Sequence, residues 1–357
     1  MIRLIKPYIS FDEISQEIET VFSSGVFTKG EFSKRFPHLI AEYVGAKHAY
    51  LTTSATTALS MSLKLLGIGP GDEVAVSDFS FPASANVIED LGARPVFIDV
   101  SLQTFTMLKE DLEAKITKKT KAIIFVDALG NPSGIDEIAT LCIDRGIVLI
   151  EDAACAIGSM VNGLYCGNIA DLTCFSFHPR KLLTCGEGGA ITTNNNDFAQ
   201  ILSYKLNHGA DTTGDYISYG YNYRMPELAC LMGCNQIPKI DAIVRERQQQ
   251  AKHYLTRLVP LGFKPQLAAE NVHHNMQSIV FVVPEGINRD SLQNYLKTQD
   301  IETTLGTYCL SGGTFYKEKY NDIQANALFL QQNTITLPCY HGIAIDDVCD
   351  VIASFFE

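Results

Sequence analysis

The chain has 357 residues, 46% hydrophobic and 19% charged, with a net charge of −12. That composition excludes a disordered chain, and the length allows two domains or one large domain with an appendage. The acidic balance, with no run of five Lys/Arg, argues against a nucleic-acid partner, and no apolar run reaches the ~18 residues of a membrane span.

Along the chain, Ile14, Ile18 and Val21-Phe22 recur at helical spacing and predict a short amphipathic helix over 12–23. Gly25 and Gly30 break the next stretch. A second helix fits 31–44, with Phe32, Phe36, Leu39-Ile40 and Tyr43-Val44 on one face. From 48 to about 195, apolar β-rich runs at 48–52, 73–77, 95–99, 121–126, 147–151, 171–176 and 189–192 alternate with helical patterns at 56–66, 83–91, 109–115 and 135–145. This alternation predicts an α/β fold with a mostly parallel sheet covered on both faces. Ligands in such sheets lie beyond the carboxyl ends of the strands.

A long helical pattern runs over 239–258. Beyond it, strand-like 276–283, helix-like 289–297, strand-like 301–304, helical 323–332, strand-like 334–337 and helical 344–355 suggest a smaller C-terminal α/β domain. The boundary is placed at 245, giving a large domain over 1–245 and a small one over 246–357. The ten cysteines stand singly with no CxxC pair, and Cys230 and Cys234 have helical i,i+4 spacing. With no signal-peptide core at the start, they read as reduced buried thiols in a cytoplasmic protein.

Three pieces carry chemistry. Lys181 follows an apolar strand and lies in a turn rich in glycine (Gly186, Gly188, Gly189). Asp152 ends the apolar run Ile147-Val-Leu-Ile150, where it is either a helix N-cap or a ligand group. The run Thr52-Thr-Ser-Ala-Thr-Thr-Ala-Leu59 ends a strand and opens a helix, where free N–H groups and the dipole favour a phosphate; plain capping by Ser54 or Thr56 is the alternative. Ser176 offers another hydroxyl. An amine near a carboxylate and an anion site suits pyridoxal phosphate: the amine bonds the aldehyde, and the carboxylate keeps the pyridine nitrogen protonated. Adjacent His273-His274 have the wrong spacing for metal ligands, and no metal site is read. Gly67-Ile-Gly-Pro-Gly-Asp72 follows a helix, so it is a turn and not a dinucleotide fingerprint.

Several runs together resemble the DegT/DnrJ/EryC1/StrS family of PLP-dependent sugar aminotransferases. They are Ser24-Gly-Val-Phe-Thr-Lys-Gly30, Ser54-Ala-Thr-Thr-Ala-Leu59, Gly67-Ile-Gly-Pro-Gly-Asp-Glu73, Gly92-Ala-Arg-Pro-Val-Phe-Ile-Asp99, Glu151-Asp-Ala-Ala154, Phe175-Ser-Phe-His-Pro-Arg-Lys181 with Gly186-Glu-Gly-Gly189, and Gly220-Tyr-Asn-Tyr-Arg-Met225. The resemblance implies the fold type I aminotransferase architecture, a seven-stranded sheet in the large domain, and a homodimer with shared active sites. It implies that Lys181 bonds the cofactor, that Asp152 pairs with the pyridine nitrogen, and that Ala55, Thr56 and Ser176 bind the phosphate. Asn222 is expected to reach the phosphate from the neighbouring subunit. Phe81 is expected to stack on the cofactor and Arg224 to contact substrate.

Two positions depart from the family pattern. Cys155 stands where a Gln often approaches the cofactor's phenolic oxygen, and a thiol is a weak donor. Ala55 replaces the usual Gly of a Ser-Gly-Thr run. The implied reaction moves an amino group from an amino acid, glutamate, to a nucleotide-linked keto sugar, for amino-sugar biosynthesis serving a surface polysaccharide or a natural product. The competing readings are a cyclitol aminotransferase, a sugar dehydratase of the same fold, and a non-catalytic regulatory protein. Lys181 argues against the dehydratase, which carries His there. Segments 306–316 and 212–221, with Tyr308 and Tyr316, are expected to line the substrate side. Lys29, Arg180 and Arg224 are expected to offset the substrate's negative charge.

Overall fold

The computed structural model describes residues 1–356. Its centre is one seven-stranded sheet built from β1 (His48–Thr52), β2 (Glu73–Ser77), β3 (Arg94–Ile98), β4 (Thr120–Val126), β5 (Val148–Asp152), β6 (Leu172–Ser176) and β7 (Gly189–Thr193). The order across the sheet is β1-β7-β6-β5-β4-β2-β3. All pairs are parallel except those of β7, which runs antiparallel to β1 and β6.

The strands are apolar throughout because both faces are covered. Val74 and Val76 pack to one side with Leu59, Met61 and Ile88, whereas Ala75 points to the other with Leu112, Ile138 and Leu141. The first side is covered by α3 (Ala55–Leu65) and α4 (Ala83–Asp90), the second by α5 (Lys109–Lys115) and α6 (Ile135–Arg145). Helices α1 (Ser15–Ser24) and α2 (Glu31–Val44) precede the sheet, and α7 (Asn196–Lys205) and α8 (Glu227–Gln236) follow it. The buried carboxylate of Glu227 accepts from the amides of Gly30, Phe32 and Ser33 at 2.8–2.9 Å. It thereby satisfies the open amides at the start of α2 and complements its dipole.

The long α9 (Ile240–Leu258) leads to a three-stranded antiparallel sheet of β8 (Lys264–Pro265), β9 (Ile279–Val282) and β10 (Thr334–Leu337), with β9 in the middle. Helices α10 (Arg289–Thr298) and α11 (Ile345–Ser354) contribute Leu292, Leu296, Val348 and Ile352 to the core on this sheet.

The expected strand at 301–304 does not form. Ile301 makes a single bridge to Ile2, and Thr304 a single bridge to Thr336. The segment changes partner within four residues, and one of its partners lies at the other end of the chain.

Candidate active site

A cavity of about 630 Å³ opens at the carboxyl ends of β4, β5 and β6. Lys181, Asp152, Ala55, Thr56, Cys155, Ser176 and Phe81 all border it. Each is delivered by a different local device.

Ala55 and Thr56 open α3. Ser54 is the N-cap: its Oγ accepts from Thr57 N at 3.1 Å, and Thr57 Oγ1 accepts from Ser54 N at 3.0 Å. This reciprocal cap takes the third amide of the turn and leaves those of Ala55 and Thr56 open, with the dipole aimed at the cavity. Capping therefore uses Ser54 and Thr57, and Ala55 and Thr56 keep open amides beside the cavity. Gly189 permits the close fit, since a Cβ there would fall 2.5 Å from the carbonyl carbon of Ser54.

Asp152 is the last residue of β5 and is 5% exposed. No helix begins after it, so the capping alternative falls away. Its carboxylate accepts from Ser84 Oγ at 2.7 Å and from Ala154 N at 3.3 Å. Burial raises its pKa above the usual carboxylate range, while Ser84, Ala154 and the charge of Lys181 oppose that rise.

Lys181 sits in an irregular turn after β6. Its amide donates to His178 O at 2.9 Å, and its Nζ donates to Cys155 Sγ at 3.0 Å. Phe81 is 65% exposed at the mouth, with its ring 6.2 Å from that of Tyr308. Arg180 and Tyr308 also border the cavity.

Other expected residues lie elsewhere. Tyr316 is buried at 6% exposure, packs edge-on to Phe97, and donates to Asn86 Oδ1 at 2.7 Å. It belongs to the core on α3 and α4, which corrects the expectation that it lines the substrate side. Of segment 306–316, only Gly306, Thr307 and Tyr308 reach the cavity, and nothing from 212–221 does. Asn222 is exposed outside it. Arg224 donates to Asn207 Oδ1 at 2.9 Å and borders a separate basic hollow with Lys29, Lys34 and Lys47.

Sequence reasoning missed other groups at this end of the sheet. Asp127, just past β4, borders the cavity, and it lies with Glu151 and Cys166 so that their ligand atoms are within 4.8 Å of one another. Burial first, and then the neighbouring Glu151, raise Asp127 well above the usual carboxylate range; burial also raises Glu151. The pair therefore favours retaining a proton, as close buried carboxyls do. His178, Gln277 and the fully buried Arg247 also border the cavity. A polar residue directly after an apolar strand, such as Asp127, is the signal that could have pointed to part of this set.

A model of the DegT/DnrJ/EryC1/StrS aminotransferase family matches residues 9–356. The chain is 30% identical over 369 residues to GDP-perosamine synthase of Vibrio cholerae, covering 100% of both chains. It is 32% identical to the spore coat polysaccharide biosynthesis protein SpsC of Bacillus subtilis, covering 97% of this chain and 94% of that one. The PLP form of a Streptococcus pneumoniae protein provisionally assigned as a sugar aminotransferase superposes with a TM-score of 0.91 at 27% identity, covering 98% of this chain and 96% of that one.

Proposed function

This chain belongs to the DegT/DnrJ/EryC1/StrS aminotransferase family, and on that premise we propose that it moves an amino group from glutamate to a keto sugar carried on a nucleotide. The observation that carries the reading is the meeting in one cavity of the Lys181 amine, the Asp152 carboxylate and the open amides of Ala55 and Thr56.

These residues fit pyridoxal phosphate. The α3 N-terminus would hold its phosphate, with Ser176 and Thr56 adding hydroxyls. Asp152 is a buried carboxylate with no cation on it beyond the nearby Lys181 charge, and a pyridinium would supply one. Phe81 presents an exposed ring at the mouth. When bound, the cofactor supplies an electron-withdrawing ring that stabilises negative charge at the donor's α-carbon.

Lys181 Nζ would hold the cofactor through its aldehyde and would serve as the base toward the donor's α-carbon proton. Asp152 would keep a proton on the cofactor's ring nitrogen. Its bond from Ser84 favours the ionised carboxylate that this task needs. The turn that carries Lys181 holds the amine at the edge of the cavity, where a bound substrate would gain the proximity advantage.

The protein acts as a homodimer in this reading. Asn222 and Arg224 lie outside their own chain's cavity, where they could serve that of a second copy. Phe11, Phe22, Phe27, Tyr216, Ile217 and Tyr219 are exposed apolar groups, Tyr219 at 74%, of the kind that interfaces cover. In this reading residues 1–245 carry the cofactor-binding domain and the chain from 246 onward the smaller one, with Leu310 and Tyr316 returning to the core of the first. The ten cysteines are unpaired, which suits the reducing cytoplasm.

The test is release of 2-oxoglutarate from glutamate with a panel of nucleotide-linked keto sugars, GDP-linked ones first. Release with one of them supports the proposal. No release with any, together with no protein-bound visible absorbance after excess pyridoxal phosphate is removed, overturns it.

A further inference from the structure

Lys181 is in a turn, where no sheet ladder holds the backbone in place. The peptide groups on either side of it are held instead by one side chain from far along the chain. Gln277 Oε1 accepts from Leu182 N at 2.8 Å, and Gln277 Nε2 donates to Arg180 O at 2.8 Å. A single planar amide thus grips both peptides that flank the amine-bearing residue. Gln277 is 5% exposed, so these bonds face little competition from water.

The grip is itself anchored. Gln277 N donates to Asn275 Oδ1 at 2.8 Å, and Gln277 O accepts from Nη1 of the fully buried Arg247 on α9 at 2.9 Å. Asn275 Nδ2 in turn donates to the carbonyls of Cys155 and Ile157, both at 2.9 Å. Two side-chain amides, two residues apart at the entry to β9, therefore hold the two turns that bring Lys181 Nζ and Cys155 Sγ to 3.0 Å.

We infer that Gln277 is the positioning residue for Lys181: it fixes where the amine stands in the cavity by holding the two peptides that flank it. The inference rests on the reading of Lys181 as the residue that bonds the cofactor. Gln277 also ties the amine to the cavity wall. It leads into β9, which pairs with β10, and Thr336 of β10 exchanges backbone bonds with Thr304 beside Tyr308. A shift of that wall is transmitted to the base through few covalent and hydrogen bonds.

The test compares Gln277→Ala and Gln277→Glu with the wild-type holoenzyme. Glutamate keeps the acceptor for Leu182 N and loses the donor to Arg180 O. Gln277→Ala should lower kcat by about 10- to 100-fold, the scale of a misplaced catalytic group. Both KM values should stay within about two-fold, because the Gln277 amide is engaged by the two flanking peptides and not turned to substrate. Borohydride should fix the cofactor to Lys181 more slowly by a similar factor. Gln277→Glu should fall between alanine and wild type in both measurements, and it decides alone if the alanine variant does not fold. A lowered melting temperature with kcat and fixation rate unchanged means a merely structural residue and overturns the inference. Wild-type protein that borohydride does not label at Lys181 sinks the functional reading itself, whereas a labelled wild type with indistinguishable variants sinks only the role of Gln277.

Discussion

The side-chain amine of Lys181 donates to the thiol of Cys155 across 3.0 Å. Cys155 is also the only one of the ten cysteines that is not buried, and it borders the cavity. Native protein should therefore take up one equivalent of iodoacetamide, at Cys155, and saturating pyridoxal phosphate should slow that uptake by about 10-fold or more through occlusion. Peptide mass mapping checks the site. Labelling at several cysteines, or no protection by the cofactor, contradicts the geometry.

Asp152 and Ser84 form the second linked pair. Asp152→Asn should lower turnover by about two orders of magnitude or more, the scale on which catalytic acid–base groups act. Ser84→Ala removes a bond that favours the ionised carboxylate, so the pKa of Asp152 rises. The acidic limb of the kcat profile should move to higher pH, with a loss of about 10-fold at most near neutrality. An acidic limb that stays in place or moves down contradicts this role for Ser84.

Asp78 gives a pH dependence of stability. Burial raises its pKa to about 6, against bonds from Ser311 and Cys309 that lower it. In the unfolded chain it ionises near the ordinary value of about 4. Between those two values the unfolded state has released a proton that the native state keeps, so stability is full below about pH 4 and falls as pH rises through about 6. The Asp78 contribution is on the order of 2–3 kcal/mol. Denaturant unfolding of Asp78→Asn should lack this fall. An equal slope in wild type and variant contradicts it.

The proposed sharing of active sites between two copies makes a further prediction. Lys181→Ala and Asn222→Ala should each be inactive or nearly so as pure proteins. Mixing and reassociating them should restore about a quarter of wild-type activity, since half of the dimers are mixed and each holds one intact site. Activity that stays absent after exchange is demonstrated contradicts the sharing of Asn222.

The large sheet was legible because its strands are covered on both faces. Runs such as Ala122–Val126 read as continuous apolar stretches, and all seven strands lie within a residue of expectation. Asp152 and Lys181 stood out as polar residues at the ends of such runs. Helix α8 went unread because it is buried on nearly all sides and shows no polar stripe; its Gly233 lies against the ring of Phe36, where a Cβ would fall 2.2 Å from it. Tyr316 misled because a glycine-rich stretch with aromatic residues resembles a lining loop, whereas its ring packs between Phe97 and Tyr320. Gln277 and Asn275 were invisible for another reason. Their meaning lies in contacts about a hundred positions away (95 for Leu182, 120 for Cys155), and no local pattern encodes those.

The central claim is that the Lys181 amine bonds the cofactor. Protein loaded with pyridoxal phosphate, reduced with borohydride and digested, should yield one labelled peptide with the cofactor on Lys181, and the visible absorbance should vanish with reduction. A label on any other lysine, or no covalent label at all, contradicts it.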